Sequence, residues 1–375
     1  MSRDARRHAA TPRIVAMTAL AAAACAREAP TPAHAGVWPP TAPAAMAPAP
    51  LESPAASRAA ADGGAPFVLG YNEAWFRSHY GSDLTQHFDE AYVAATFAGI
   101  GAAGGSVVRL WLFEGLEGIT LGDHAPTIVG IDSLFLQNLA ITLRHARRLK
   151  LSVYLTALDG NHAPAEAGPL RVLYGHLFRG GHGEAAAYEE RVLAPLLGLL
   201  ASHRDVIYGL DLINELQAPR KRGYWPDGNS GAREYVRRTA AFVRAAAPWL
   251  RVTASSGHEG GAADLAGGLF SGLGLSFYDL HAYADDGVIG GADAVCRRAA
   301  HDGVAVVLGE FGQSSRVDDD ALQARVASAF VRAARSSCLQ GALAWRYDAH
   351  ERWWGFVRAD GDARPATQAM RALAP

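Results

Sequence analysis

Lysine is almost missing from this chain: Lys150 and Lys221 are the only two among 375 residues, and arginine carries the positive charge. Together with the many alanines, this reads as compositional bias rather than as a functional signal. Charge of one sign is not in surplus either. The formal net charge is −2, so no global basic field argues for a nucleic-acid partner. The apolar stretch at residues 14–24 falls short of the length a permanent bilayer-spanning helix needs. Several hydrolytic signatures are missing. No G-x-S-x-G nucleophile elbow occurs. The segment from His258-Glu259 begins like a zinc-protease helix but lacks the second histidine. The first predicted strand offers no His-x-His, so converging metal ligands are not visible, and no catalytic metal or other cofactor is expected. Residues 99–104 spell G-x-G-x-x-G, but they follow a predicted helix and precede a strand, the reverse of a dinucleotide fingerprint.

Cysteine is scarce, with Cys25 near the N-terminus and Cys296 and Cys338 in the body of the chain. Spacing alone does not choose between a 296–338 disulfide and two buried thiols. Residues 1–13 carry Arg3, Arg6, Arg7 and Arg13 against the single acid Asp4, and the apolar run at 14–24 leads to Cys25. That order of charged, apolar and small residues predicts a signal peptide over 1–25 and hence export. Small residues before Cys25 are similar to a lipoprotein signal, although Ala22 stands where leucine is preferred. Lipidation at Cys25 and ordinary cleavage near Ala33-His34-Ala35 both remain open. Residues 26–65, rich in Ala and Pro without an apolar period, predict a disordered linker. The expected product is a secreted, periplasmic or lipid-anchored monomer.

From residue 66 the pattern becomes regular. Apolar runs near 67–69, 107–112, 151–157, 206–213, 251–255, 277–281, 304–308 and 341–345 alternate with helical stretches. Those helical stretches lie near 90–101, 133–149, 184–203, 232–247, 262–270, 291–301, 319–337 and 366–374. Strands alternating with helices imply parallel strands and right-handed crossovers. Eight such units predict an α/β fold of the (βα)8 TIM-barrel type over 66–375, with chemistry at the C-terminal ends of the strands. Half of the residues are hydrophobic, ample for such a core.

The strand ends carry the functional signal. Asp211-Leu-Ile-Asn-Glu215 and Val307-Leu-Gly-Glu-Phe311 are apolar runs that close on a glutamate. A buried parallel strand has no packing reason to end in a carboxylate. Two of them, on strands four and seven of a barrel, can face each other at about 5 Å, the spacing of a retaining glycosidase. The other ends supply Arg109 and Trp111 on strand two, Asn214 on four, His281 and Tyr283 on six, and Trp345 on eight. Polar and aromatic ends of this kind suit a carbohydrate pocket. Trp75, Trp353 and Trp354 read as packing or as outer walls. His258 and His162 read equally as pocket residues or loop hydrogen-bonders. Glu73 and Glu114 are placed near the rim without a role.

In this order and spacing, Arg109, Asn214-Glu215, His281-x-Tyr283, Glu310 and Trp345 resemble the retaining glycoside hydrolases of clan A, most closely the cellulase and mannanase group of family 5. The resemblance covers about residues 66–375. It implies Glu215 as acid/base, Glu310 as nucleophile and a β-mannan or β-glucan type of oligo- or polysaccharide as substrate. It further suits Arg109 to holding Glu310 ionised, Tyr283 to bonding the nucleophile, Asn214 to the sugar 2-hydroxyl, and Trp345 to a flat floor under a sugar. One departure lies at strand three, where the family often carries a histidine at the strand end and this chain does not. The alternative is a catalytically silent glycan-binding barrel, which splayed or ion-paired glutamates would mark.

Overall fold

Continuous apolar runs can be buried on both faces only in a sheet covered by helices, and the chain folds accordingly. The computed structural model describes residues 66–77, 83–123, 127–161, 169–179, 183–221, 223–225, 227–257, 260–348 and 352–374. All belong to one compact unit, Ala55–Pro375. The expected signal peptide at 1–25, the linker at 26–65, Cys25, His162 and His258 lie outside the described residues.

In chain order the elements open with β1 (Val68–Asn72), α1 (Glu90–Ala102), β2 (Val107–Trp111), β3 (Ile119–Leu121), β4 (Ile128–Ile131) and α2 (Ser133–Leu149). They continue with β5 (Ser152–Asp159), α3 (Pro169–Arg179), α4 (Glu184–Tyr188), α5 (Ala194–Ala201), β6 (Ile207–Asn214), α6 (Gln217–Lys221) and α7 (Asn229–Ala246). Then come β7 (Val252–Thr253), β8 (Ser255–Ser256), α8 (Gly261–Ala266), β9 (Phe277–Tyr283), α9 (Ala292–Asp302), β10 (Ala305–Gly312), α10 (Asp320–Arg335), β11 (Leu339–Ala344) and α11 (Pro365–Ala372).

The main sheet runs β7-β6-β5-β2-β1-β11-β10-β9-β8, and every pairing in it is parallel. β7 and β8 are two halves of the fifth strand, broken at Ala254, one pairing with β6 and the other with β9. Counted so, the sheet has eight strands closed into a barrel, and the (βα)8 expectation holds. Inside the barrel, Val107, Tyr154, Phe277, Val307 and Leu343 pack as one cluster. The larger core lies between the strands and the surrounding helices.

Local signals set most helix ends. Asp89, Asp132 and Asp319 each cap a helix N-terminus, their carboxylates accepting backbone N–H groups of α1, α2 and α10. Lys150 closes α2 in the left-handed region, φ 58°. Three features depart from expectation. An antiparallel hairpin, β3–β4, stands between β2 and α2. The Gly-containing segment after β5 holds the helix α3. The expected single helix at 184–203 is α4 and α5 joined through a π-helical turn at Glu189–Leu193.

Cys296 on α9 and Cys338, just before β11, form a disulfide, with Cα atoms 5.8 Å apart. The bond closes a 42-residue separation, for which loop-closure entropy gives about 3–4 kcal/mol of stabilisation. Cys296→Ser with Cys338→Ser is expected to lose about that much in urea unfolding. Adding reductant should bring the natural protein down to the variant's midpoint.

Candidate active site

A buried arginine organises the top of the barrel. Arg109, on β2, is fully buried. One terminal nitrogen donates to Glu310 Oε1 at 2.5 Å and Asn72 Oδ1 at 3.0 Å; the other donates to Asp211 Oδ2 at 2.8 Å and Asn214 Oδ1 at 2.9 Å. A planar fork of fixed donors suits this better than an ammonium would. Burial opposes the arginine's charge, but Glu310 and Asp211 more than offset it and raise its pKa further. Asp211 is itself pushed up to about 6 by burial, against the pull of Arg109.

Glu215 follows β6, and Glu310 lies within β10. Their strands are separated by β7/β8 and β9 on one side of the barrel and by β5, β2, β1 and β11 on the other. A carboxylate oxygen of each, with a ring nitrogen of His281, lies within 4.8 Å of the others. Tyr283 donates its hydroxyl to Glu310 Oε2 at 2.7 Å. His281 Nδ1 stands 3.1 Å from Glu215 Oε1 and 3.4 Å from Glu310 Oε2, and Nε2 lies 3.7 Å from Asp279. Burial is the largest influence on His281 and disfavours its charge. Glu310, Glu215 and Asp279 together outweigh it, raising the imidazole pKa to about 9. Asp279 also accepts from the Tyr154 hydroxyl and from the Gly309 N–H.

Glu215 sits in a strained backbone, φ 48°, in the left-handed region that non-glycine residues seldom occupy. Its N–H is held by Ser255 Oγ at 3.0 Å, and Ser255 N–H donates to Asp211 Oδ1 at 2.9 Å. The side-chain amide of Asn161 donates to Glu215 Oε2. Asp159 orients both asparagines, accepting from Asn214 Nδ2 at 2.8 Å and Asn161 N–H at 3.1 Å. Gly257 closes over the carboxylate, and a methyl group there would stand 2.1 Å from Glu215 Oε1. Gly257→Ala is therefore expected to displace the Glu215 carboxylate and cost about 100-fold in kcat/KM, as ångström-scale misplacement does. Unchanged thermal unfolding would show that the loss is local.

These groups face a cavity of about 900 Å³. Asn214, Glu215, His281, Tyr283 and Glu310 all line it, as do Trp111, Trp345, Trp354 and Asn161. Trp345 is 7% exposed and follows β11, joined to Arg346 by a cis peptide. Its ring meets Trp111 at 5.5 Å and Trp75 at 6.0 Å between centroids. Arg346 stacks on Trp75 from beneath, 4.4 Å from the ring centre. Trp75 itself does not line the cavity, and Trp354 forms a wall.

Two acids leave the rim assigned to them from sequence. Glu73 is fully buried and Glu114 is 4% exposed. Burial, with Asp348 next in importance, raises the Glu73 pKa well above the usual carboxylate range. Burial, then Asp159, pushes Glu114 up to about 9 while the Trp75 indole donates to it. Neither lines the cavity, so the expected place near the rim is corrected: both are buried among their hydrogen-bond partners, Asp348 and Trp75. Conversely, the sequence reading gives no role to Asp211 and Asp279, although both are acids inside apolar strands, nor to Asn161, although it stands at the end of strand three.

The chain matches no protein-family model and no curated protein. Its fold is similar to solved structures of known proteins. A β-mannanase from the blue mussel Mytilus edulis superposes with TM-score 0.61 at 18% identity, over 82% of this chain and 92% of that one. A GH5_18 protein from Bifidobacterium longum subsp. infantis gives 0.65 at 16% identity, over 82% and 78%. An exo-β-1,4-mannosidase from Opitutaceae bacterium strain TAV5 gives 0.60 at 17% identity, over 82% and 59%. At such identities the likeness is one of fold alone: a parallel barrel, as the alternation of strands and helices predicts.

Proposed function

We propose that this chain is a retaining glycoside hydrolase acting on β-linked mannosyl or glucosyl substrates, with Glu310 as nucleophile and Glu215 as acid/base. The observation that carries the reading is the pair of carboxylates within 4.8 Å, set in one cavity at the ends of well-separated strands. Retaining enzymes hold this pair about 5–5.5 Å apart, whereas inverting ones leave about 6.5–9.5 Å for a water.

The surroundings divide the labour. Glu310 accepts from Arg109 and Tyr283 on its two oxygens; an ion pair would mark a silent barrel if it drew the carboxylate away, but here Glu310 still lines the cavity beside Glu215, where it can reach the anomeric carbon. A glycosyl-enzyme ester forms on Glu310 as the leaving oxygen takes a proton from Glu215. Glu215 then removes a proton from water, which attacks the same carbon and frees Glu310. His281, with its proton held up to about pH 9, lies between the two and tempers their repulsion. Trp345 offers a flat face for the sugar, and Asn214, fixed by Arg109 and Asp159, is placed for its 2-hydroxyl.

A cation held by Glu215, His281 and Glu310 is the competing use of the same atoms. The donor set disfavours it, because Arg109 and Tyr283 already occupy the Glu310 oxygens and a protonated imidazole is not a ligand. Export is part of the proposal, supported by the Cys296–Cys338 bond, which persists in oxidising compartments.

The test is sugar release from a panel of β-mannosides, β-glucosides and their polymers, with Glu310→Gln and Glu215→Gln alongside, and NMR of the first-formed anomer. Retained configuration with loss of activity in both variants is expected. An inverted product, or activity that survives Glu310→Gln, overturns the mechanism; loss on adding chelator favours the cation.

A further inference from the structure

The catalytic cavity has two unlike halves. On one side of Glu215 stand Trp345, Trp354 and Tyr283, rings and a hydroxyl suited to a sugar. On the other, the described lining is Gly260, Ala263, Ala266, Val288, Gly290 and Ala294, with no aromatic ring and no side chain able to hydrogen-bond. A sugar seated there would find no hydrogen-bonding side chain and no flat face among the described lining residues, and unpaired buried polar groups are costly. A hydrocarbon loses nothing in such a place.

This half lies on the leaving-group side. The acid must reach the oxygen that departs, and Glu215 rests against Gly257, at the start of the segment leading into α8. Gly291, at the start of α9, stands close to Ala262 of α8, so the two helices form one trough next to Glu215. Val288 is 59% exposed among the described residues, an aliphatic surface that lines the cavity. The trough continues: Ala266 and Ala294 also line a neighbouring hollow of about 420 Å³, whose far edge is Arg297, Arg298 and His301. An elongated apolar floor ending in a polar rim fits a chain rather than a compact ring.

We propose that the cavity beyond Glu215 is a leaving-group subsite for a hydrocarbon chain, so that the substrate is a β-glycoside of an alkyl- or acyl-bearing alcohol rather than a sugar linked to a further sugar. This rests on the glycosidase reading above and narrows it: the bond broken joins the sugar on Trp345 to an apolar alcohol. Water supplies the hydroxyl that the sugar gains, and the alcohol leaves with the proton from Glu215.

The full chain is tested with methyl and octyl β-D-mannosides and β-D-glucosides, below the micelle-forming concentration, and with the matching β-1,4-disaccharides. Both kcat/KM and calorimetric binding are read. Each two methylenes buried are worth about tenfold, so octyl over methyl is expected to exceed tenfold, with the disaccharide gaining less. Val288→Asp, at an exposed position, should bring the octyl-to-methyl ratio toward one in both readouts. Hydrolysis of methyl glycosides or disaccharides without an octyl advantage overturns the subsite and leaves the glycosidase standing. Octyl binding that Val288→Asp weakens, without turnover of any glycoside, supports the subsite and sinks the hydrolase. Folded protein that neither binds nor cleaves octyl glycosides overturns the subsite.

Discussion

Glu310→Gln is expected to lower glycoside hydrolysis at least about 10,000-fold, because a neutral amide cannot replace the charged carboxylate of the proposed nucleophile. The amide is nearly isosteric, so it keeps Tyr283 and Arg109 within reach and tests charge rather than packing. Two consequences separate it from Glu215→Gln. An external azide ion should partly restore a Glu310→Gly variant and give a glycosyl azide of inverted configuration, because the small anion fills the space of the lost carboxylate. Glu215→Gln should retain far more activity on aryl glycosides whose leaving group departs without protonation, because only the acid step is lost. Equal losses on both kinds of substrate, in both variants, would defeat the assignment of roles. Stability should fall only modestly in Glu310→Gln, since Arg109 loses the charge of Glu310 but keeps Asp211 as its partner.

Arg109→Met is expected to destabilise the fold by about 3–5 kcal/mol at neutral pH, the range for breaking one side of a buried ion pair. Methionine fills much of the volume but leaves Asp211 and Glu310 without the guanidinium that both contact. The pH dependence identifies the cause. Asp211 already has a folded-state pKa of about 6, above that of the unfolded chain. A raised folded pKa means the folded state holds the proton more tightly. The group's favourable contribution is therefore full below about pH 4 and is lost as pH rises through about 6. Without Arg109 that loss grows, so the gap in unfolding free energy between variant and natural protein should widen from pH 4 to pH 8. A gap that stays constant across that range would mean that packing, not charge, accounts for the loss. Activity should vanish with the variant at any pH where it remains folded, since the nucleophile is no longer held.

The strand-end pattern marks residues whose side-chain chemistry is out of place for their local structure. Glu215 and Glu310 end apolar runs, and no burial argument explains a carboxylate there, so each stands out in the sequence, and the fold brings both to one cavity. Arg109, Tyr283 and Trp345 joined them through order along the chain. The fifth strand was the least legible because it is two short pieces, Val252–Thr253 and Ser255–Ser256, too brief to show a run. α3 escaped because its neighbouring glycines read as loop, and its apolar face becomes evident only when packed. Glu73 and Glu114 went the other way. Their positions beside strand ends read as near the rim, yet both are buried, Glu114 accepting from Trp75 and Glu73 from the Asp348 N–H.

By itself the sequence determined the alternation of strands and helices, hence the barrel, and which strands end in carboxylates. These follow from periodicity and from residue types at fixed points on a strand, both local properties. Tertiary structure alone decided the pairing of Cys296 with Cys338, the bridging of both glutamates by His281, and the part of Asn161 in holding Glu215. It also placed a hydrocarbon-lined trough beside the acid, from glycines and alanines on α8, α9 and their approaches that look like ordinary helix and turn residues in the chain. Such relations depend on distances between residues far apart in sequence, and closure of the barrel sets those distances.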